Sequence, residues 1–510
     1  IYDFKTQHRR EIKLDLPKDE IWHLADGQII PSGQSICVVE RHQRNNICYA
    51  LALITPETGE ANILHTDHDF YAYPKVNDTM TQLCWISWQN PNMPWQESQL
   101  NIAELSIDTC TISISEVLHD DRVSYSQPTW HHESLLYLCD KSGFHNLYRK
   151  NAISDECILQ EDYDMGEPLW QLGVSTYSII DPDNLIIRAQ AISREKLIQV
   201  DLNHLTITTI QSHFTHFEPY LTGTNGKLAC IAKGVDRLSS IELIGSHTIR
   251  PSDNLPKNID WCQPECLSFK NHLEQDTYAF FYLPPNTDQL PPLMVNCHGG
   301  PTAGITTALK PEIQFWTNLG YAVLDVAYSG SIGYGRAYQE RLDGQFGQLD
   351  ALDCIAATKY LINTNKVDRN RINIKGKSSG GLTALNAIIN SDIFSAGIIY
   401  YAITDLEALN QETHPFEAHY LTSLVAPSDM HERSPIHHSN KIDSPLLIFQ
   451  GDRDPIVPIS QCISFTHHLN KQKKVFELIR YPEESHGFQD IDTISKSLQK
   501  EWLFIQYHNS

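Results

Sequence analysis

Basic residues are scarce in this chain: 39 Lys and Arg stand against 62 Asp and Glu over 510 residues, for a formal net charge of −23 at pH 7. No basic stripe is available to release counterions from a phosphate backbone, so a nucleic-acid partner is not expected. The acidity is that of a soluble protein, and the 41% hydrophobic and 20% charged content fits a globular one. Long apolar runs are missing as well. No stretch approaches about 18 consecutive apolar residues, so neither a transmembrane helix nor a membrane partner is expected. The twelve cysteines form no regular framework. Cys37, Cys84, Cys230 and Cys297 lie inside apolar, strand-like runs and read as small buried hydrophobes. Cys262 and Cys266 have the wrong spacing for a zinc knuckle and no second pair beside them. Reduced thiols in the cytoplasm are the expectation. His65, His68 and Asp69 could be drawn as a metal cluster, but a polar loop between strands explains them equally well; neither a metal nor a cofactor is expected. A basic-then-apolar signal segment is also lacking, and because the chain starts at Ile1 rather than Met, further sequence before it is expected.

A chain of this length exceeds one ordinary core, and two domains are the default. From residue 1 to 257 the sequence shows short strand-like runs and turn signals, without a convincing amphipathic helix. Ser35–Val39, Cys48–Ile54, Leu83–Ser87 and Leu135–Cys139 are examples. A degenerate repeat runs through this half: Tyr73-Pro74, Gln127-Pro128, Glu167-Pro168 and Glu218-Pro219, each followed by a turn and a strand run. Steps of roughly 40–50 residues are those of β-propeller blades with four strands each. About five blades fit between Ile21 and Asn254, fewer than a comfortable closed ring, so an incomplete all-β propeller is expected. A tandem of β-sandwiches is the competing arrangement.

Residues 258–510 change character, with buried strands alternating with helices, as in a mostly parallel sheet. Strands are expected at Tyr278–Leu283, Leu293–Cys297, Ala322–Ala327, Arg371–Ile374, Ala396–Tyr401, Leu446–Phe449 and Val475–Ile479, and helices at Leu349–Ile362, Leu382–Ile389 and Ile459–Leu469. Ligands of such sheets bind beyond the carboxyl ends of the strands. Past one end lies Gly376-Lys377-Ser378-Ser379-Gly380-Gly381, a serine on a strand-to-helix turn flanked by small residues. Past two others lie Asp454 and His486. Serine, carboxylate and histidine thus follow in the chain order of the α/β-hydrolases. A serine hydroxyl needs a base to take its proton, and the base needs a buried carboxylate to orient it. Ser378 is the candidate nucleophile, His486 the base and Asp454 the orienting acid, with Asp452 a nearby competitor. A fourth strand end carries His298-Gly299-Gly300-Pro301, where a backbone N–H near Gly300 could meet a developing oxyanion with the N–H of Ser379.

These residues resemble the prolyl oligopeptidase family of serine peptidases, in its dipeptidyl-peptidase and acylaminoacyl-peptidase-like branch. The resemblance rests on His298–Thr302, Asp325–Tyr338, the turn Gly376–Gly381, Thr404–Glu407, Thr413–Glu417, Arg433–Pro435, Gly451–Pro458 and Tyr481–Phe488, and in the first half on Asn90–Trp95. It implies a propeller joined to an α/β-hydrolase domain, the triad Ser378–Asp454–His486, oxyanion donors near Gly300 and Ser379, and short peptides as substrates, cleaved near the N-terminus through an acyl-enzyme. Members of the branch usually have longer propellers. The family's usual turn reads Gly-Gly-Ser-Ala-Gly-Gly. Lys377 and Ser379 depart from it, and Lys377 is expected to point outward. Tyr328-Ser329 stands where the branch often has Tyr followed by Arg or Gly, so any subsite contact from that Arg is absent. An esterase acting on small esters, or a binding protein with an inert hydrolase domain, are the alternative functions. A homo-oligomeric state is left open.

Overall fold

The computed structural model describes residues 2–3, 8–9, 12–44, 46–192, 194–252, 255–256, 259–285, 289–412 and 415–509. Short, alternating apolar segments in the first half form five antiparallel sheets of four or five strands, preceded by a two-stranded pair, Tyr2–Asp3 with His8–Arg9. Blade 1 comprises Glu20–Ile29, Ser35–Gln43, Asn46–Thr55 and Glu60–His65; blade 2 runs from Phe70 to Leu118, blade 3 from Tyr125 to Leu159, and blade 4 from Tyr177 to Ile210. Blade 5 runs from His216 to Arg250, its first strand split into His216–Phe217 and Thr222–Thr224. The fold is a β-propeller joined to an α/β-hydrolase domain.

The proline repeat has a structural cause in blades 2 and 3. Tyr73 and Gln127, the residues before Pro74 and Pro128, adopt φ of +54° and +52° where the pairing register of the first strand shifts. Proline is tolerated within a sheet at such bulges, where no ladder donor is lost. In blade 5 Pro219 falls in the break of the first strand, whereas Pro168 precedes the first strand of blade 4. The bulges and nearby side chains also join blades. Asp26 accepts from the N–H of Tyr73, Gln127 from that of Thr176 at 2.7 Å, and Glu195 from that of Phe217 at 2.7 Å. Between these seams apolar faces stack, for example Leu136, Leu138 and Leu147 of blade 3 on Leu185 and Ile187 of blade 4.

The second half is one eight-stranded sheet: β1 (Glu265–Lys270), β2 (Asp276–Tyr282), β3 (Leu293–Cys297), β4 (Ala322–Ala327), β5 (Ile372–Lys377), β6 (Ala396–Tyr400), β7 (Leu446–Gly451) and β8 (Phe476–Tyr481). Their order is β1-β2-β4-β3-β5-β6-β7-β8, and all pairs from β4 onward are parallel. All seven expected strands are present. The antiparallel edge strand β1 was not expected, because its burial alternates along only six residues. The helices that bear on the site are α1 (Pro311–Asn318), α2 (Leu349–Asn363), α3 (Ser379–Ile389), α4 (Leu406–Glu412), α5 (Met430–Arg433), α6 (Ile459–Lys471) and α7 (Ile491–His508), with short helical turns also at Arg336–Gln339 and Tyr420–Leu424. Strands β3 to β7 are buried almost throughout, between apolar clusters on the two faces of the sheet. The expected junction at Lys257 and Asn258, and Asn254 before it, lie outside the described residues.

The propeller meets the hydrolase sheet at loops past the carboxyl ends of its strands. Past β3, the carbonyl of Thr302 accepts from Trp170 Nε1 at 2.7 Å. Past β4, Arg336 binds Asp140 of blade 3 and the carbonyl of Gln96, while the N–H of Gly335 donates to Asp164. Past β6, Phe416 packs edge-on against Phe70, and Tyr420 against Trp95 and Trp170.

Candidate active site

Ser378 occupies the sharp turn between β5 and α3, with φ +56° and ψ −126°. An L-residue is strained there, and the glycines around it explain how the turn closes. A Cβ on Gly376 would lie 2.0 Å from the carbonyl oxygen of Gly380, and one on Gly380 2.3 Å from that of Cys297. Only glycine lets these backbones touch. The helix begins at Ser379, three residues before the expected Leu382. Its first turn, Ser379-Gly380-Gly381, has weak helical propensity and is held by tertiary contacts.

Three strand ends converge at this turn. The Ser378 hydroxyl lies 3.0 Å from His486 Nε2, and His486 Nδ1 lies 2.8 Å from Asp454 Oδ2. With Nδ1–H donating to the carboxylate, Nε2 presents its lone pair to the serine. The Asp454 side chain is fully buried, and its other oxygen accepts from the N–H groups of Ile456 and Val457, both at 2.9 Å. Asp452 is turned away and forms a two-point ion pair with Arg480 at 2.8 and 2.9 Å. The loops after β7 and β8 are knit together, the N–H of Arg453 donating to the Glu484 carbonyl at 3.0 Å. Gly451 permits that approach, since a Cβ there would lie 2.5 Å from the same oxygen.

On the other side of Ser378, the turn after β3 brings Gly299 against the serine: a Cβ there would be 3.2 Å from the Lys377 carbonyl and 3.6 Å from Ser378 Cβ. Gly300 follows with φ +126°. Of the residues at the expected donor positions, Ser379 follows Ser378 directly, and Gly299, the neighbour of Gly300, is the one that packs against the serine. His298 braces this turn through Ser331 Oγ at 2.8 Å and stacks on Tyr328 at 4.0 Å. Burial pulls its imidazole down to about 4, so it stays neutral.

Several neighbours of the site were not singled out from the sequence. The ring of Tyr401, with φ +35°, lies 4.7 Å from that of His486. Its place directly after β6 is the signal that strand-end reasoning could have used. Lys377 directs its ammonium to Glu312 on α1 at 2.7 Å. Lys375 contacts the same carboxylate at 3.4 Å and the fully buried Glu501 at 2.7 Å, and Glu501 also accepts from Tyr400. Burial opposes the Glu312 carboxylate, yet the two lysines pull it down to about 2. The motif residues Thr413 and His414 lie outside the described residues. His65 and the backbone N–H of His68 both face the Tyr71 hydroxyl, the His68 ring faces Gln99, and Asp69 accepts from the N–H of Asn90.

Residues 307–510 match the model of the prolyl oligopeptidase family. The hydrolase half is thus similar to that family. Similar curated proteins include the acylamino-acid-releasing enzyme of Mus musculus, 26% identical over 236 residues, covering 44% of this chain and 32% of that protein. The enzyme of the same name from Arabidopsis thaliana is 29% identical over 211 residues, covering 38% of this chain and 27% of that one. The matched region thus spans about a third of those relatives' length. Among solved structures, a puromycin-hydrolyzing peptidase of Mycobacterium tuberculosis superimposes with a TM-score of 0.89 at 28% identity, covering 96% of this chain and 79% of that one. The fold shared with that peptidase therefore extends over nearly the whole chain.

Proposed function

We propose that the chain is a serine peptidase that hydrolyses short peptides near their N-terminus through an acyl-enzyme. The observation that carries this reading is the unbroken relay from Asp454 through His486 to Ser378, on a strained turn at the end of β5. In the proposed reaction His486 Nε2 takes the proton of Ser378 as Oγ attacks the peptide carbonyl. The resulting oxyanion faces the N–H of Ser379, at the positive end of α3, and the backbone of Gly299 and Gly300. His486 then gives its proton to the departing amine, and a water repeats the sequence to release the acyl group. Asp454 holds the imidazole orientation and stabilises its charged form.

Amide rather than ester chemistry is supported by the family match and by relatives whose names describe peptidases, because esterases employ the same three side chains. The contacts of Trp95, Trp170 and Phe70 with loops past the strand ends support restriction to short substrates. Matched aminoacyl anilides and esters, each with a free or acetylated N-terminus, test the reading. Turnover of anilides is expected, lost in Ser378→Ala. Turnover of esters alone would contradict it.

A further inference from the structure

Away from the triad, three side chains from three separate segments bring ligand atoms together. Glu407 stands in the first turn of α4, His431 on α5, and His437 in the 3₁₀ segment Pro435–Lys441 that follows. His431 Nδ1 lies 3.4 Å and His437 Nε2 lies 3.8 Å from the same oxygen, Glu407 Oε2. All three ligand atoms fall within 4.8 Å of one another. The two imidazoles stack face to face at 3.7 Å with 18° between planes, so one ring must turn before both in-plane lone pairs point at a single ion.

The spacing suits a particular ion. Zinc bonds of about 2.0–2.1 Å to nitrogen or carboxylate oxygen in tetrahedral geometry place ligand atoms roughly 3.3 Å apart. The two histidine–glutamate separations, 3.4 and 3.8 Å, need up to about half an ångström of closure. The scaffold beneath is already fixed. Ser434 Oγ accepts from the N–H of Leu406 at 2.9 Å and donates to the Met430 carbonyl at 2.7 Å, while the N–H of Ile436 donates to Thr404 at 3.0 Å. These bonds tie the start of α4 to both histidine-bearing segments, one residue away from each ligand. Two imidazoles and one carboxylate suit zinc, cobalt, nickel or copper and disfavour magnesium and calcium, which take oxygen ligands.

We propose that Glu407, His431 and His437 form a binding site for a transition-metal dication of the zinc class, with its remaining coordination open to solvent. Such an ion would bridge α4, which leads toward Phe416 at the propeller contact, to the segment after α5. It would brace the connection between β6 and β7 without touching Ser378, so it lies outside the proposed catalytic chemistry.

A second cluster, His23, Glu40 and His42 in blade 1, provides the control. There His42 Nε2 and Glu40 Oε1 are 2.6 Å apart, a hydrogen bond and too close for two ligands of one tetrahedral ion. Titration of the full chain with Co²⁺, followed by visible absorption, reads coordination number directly, and competition with Zn²⁺ gives the affinity. The wild-type protein should develop the intense d–d bands of a four- or five-coordinate ion, displaced by Zn²⁺ but not by Mg²⁺. His431→Ala and His437→Ala should each lose the bands and weaken Zn²⁺ binding by about 100-fold or more, since removal of even an outer partner of a metal site costs 10–100-fold. His23→Ala should retain both. Zn²⁺ should also raise the melting temperature of the wild type and leave that of the folded His431→Ala/His437→Ala double variant unchanged. Weak six-coordinate bands in the wild type, or bands that survive in His431→Ala and vanish in His23→Ala, would overturn the proposal.

Discussion

Ser378 and Ser379 are adjacent, yet the fold gives them different surroundings. Ser378 Oγ faces the imidazole, whereas Ser379 Oγ is buried without a hydrogen-bond partner among the described residues. Ser378→Ala should lower kcat by on the order of 10³-fold or more with the fold intact, and Ser379→Ala should have a small effect, because only its backbone N–H is assigned a role. Comparing kcat of the two variants on one anilide, with circular dichroism as a check on folding, tests the assignment; the reverse ranking would shift the nucleophile by one residue. The two candidate carboxylates separate in the same way. Asp454→Asn spoils the tautomer and the charge beside the imidazole, and a loss of several orders of magnitude in kcat is expected. Asp452→Asn removes only the exposed pair with Arg480, and a near-normal kcat is expected. A larger loss at Asp452 would reassign the acid.

At the scale of elements, the strand ends made the proposed triad legible from sequence. Buried parallel strands read as continuous apolar runs, so their ends could be located and the residues just beyond them inspected. Ser378, Asp454 and His486 were each found that way. The supporting contacts could not be read so directly. Glu312 lies 65 residues before Lys377, and Glu501 lies 126 residues after Lys375; no local pattern links such partners. The same holds for Arg188, His216 and Glu218, which join blades 4 and 5. Fully buried Arg188 contacts Glu167 at 2.5 Å and the Phe217 carbonyl at 3.0 Å, and His216 lies 2.7 Å from Glu195. Burial opposes charge on His216, but its bonds to Glu195 and Glu218 raise it from 6.5 to about 9. The bond from His216, with help from Lys233, lowers Glu218 from 4.5 to about 2. The raised histidine contributes stability that is complete below about 6.5 and lost as pH rises through about 9; the lowered glutamate contributes stability present above about 4.5 and lost as pH falls toward about 2. His216→Gln should therefore flatten the alkaline decline in melting temperature between pH 6.5 and 9. An unchanged decline in that variant would remove His216 from the explanation.

Across the whole molecule, blades 2 and 3 and the segment before blade 4 contact loops past the ends of β3, β4 and β6, the same side of the sheet that carries Ser378. In the proposed reading a disc placed there would limit what reaches the serine, and excluding water would strengthen the proposed oxyanion contacts. Cleavage rates for a length series built on one peptide should fall steeply as the chain grows, and a folded globular protein should remain intact. Equal rates for short peptides and a folded protein would show that the propeller does not gate the site.

The proposal that Ser378 is an activated nucleophile has a direct test. A fluorophosphonate probe reacts with a serine whose proton is taken by a neighbouring base and whose developing oxyanion is stabilised. Wild-type protein incubated with the probe, digested and sequenced by mass spectrometry should carry one equivalent of label on Ser378, and label should be absent from the His486→Gln and Ser378→Ala variants. Wild-type protein that stays unlabelled, or label on any other serine that persists in Ser378→Ala, would contradict it.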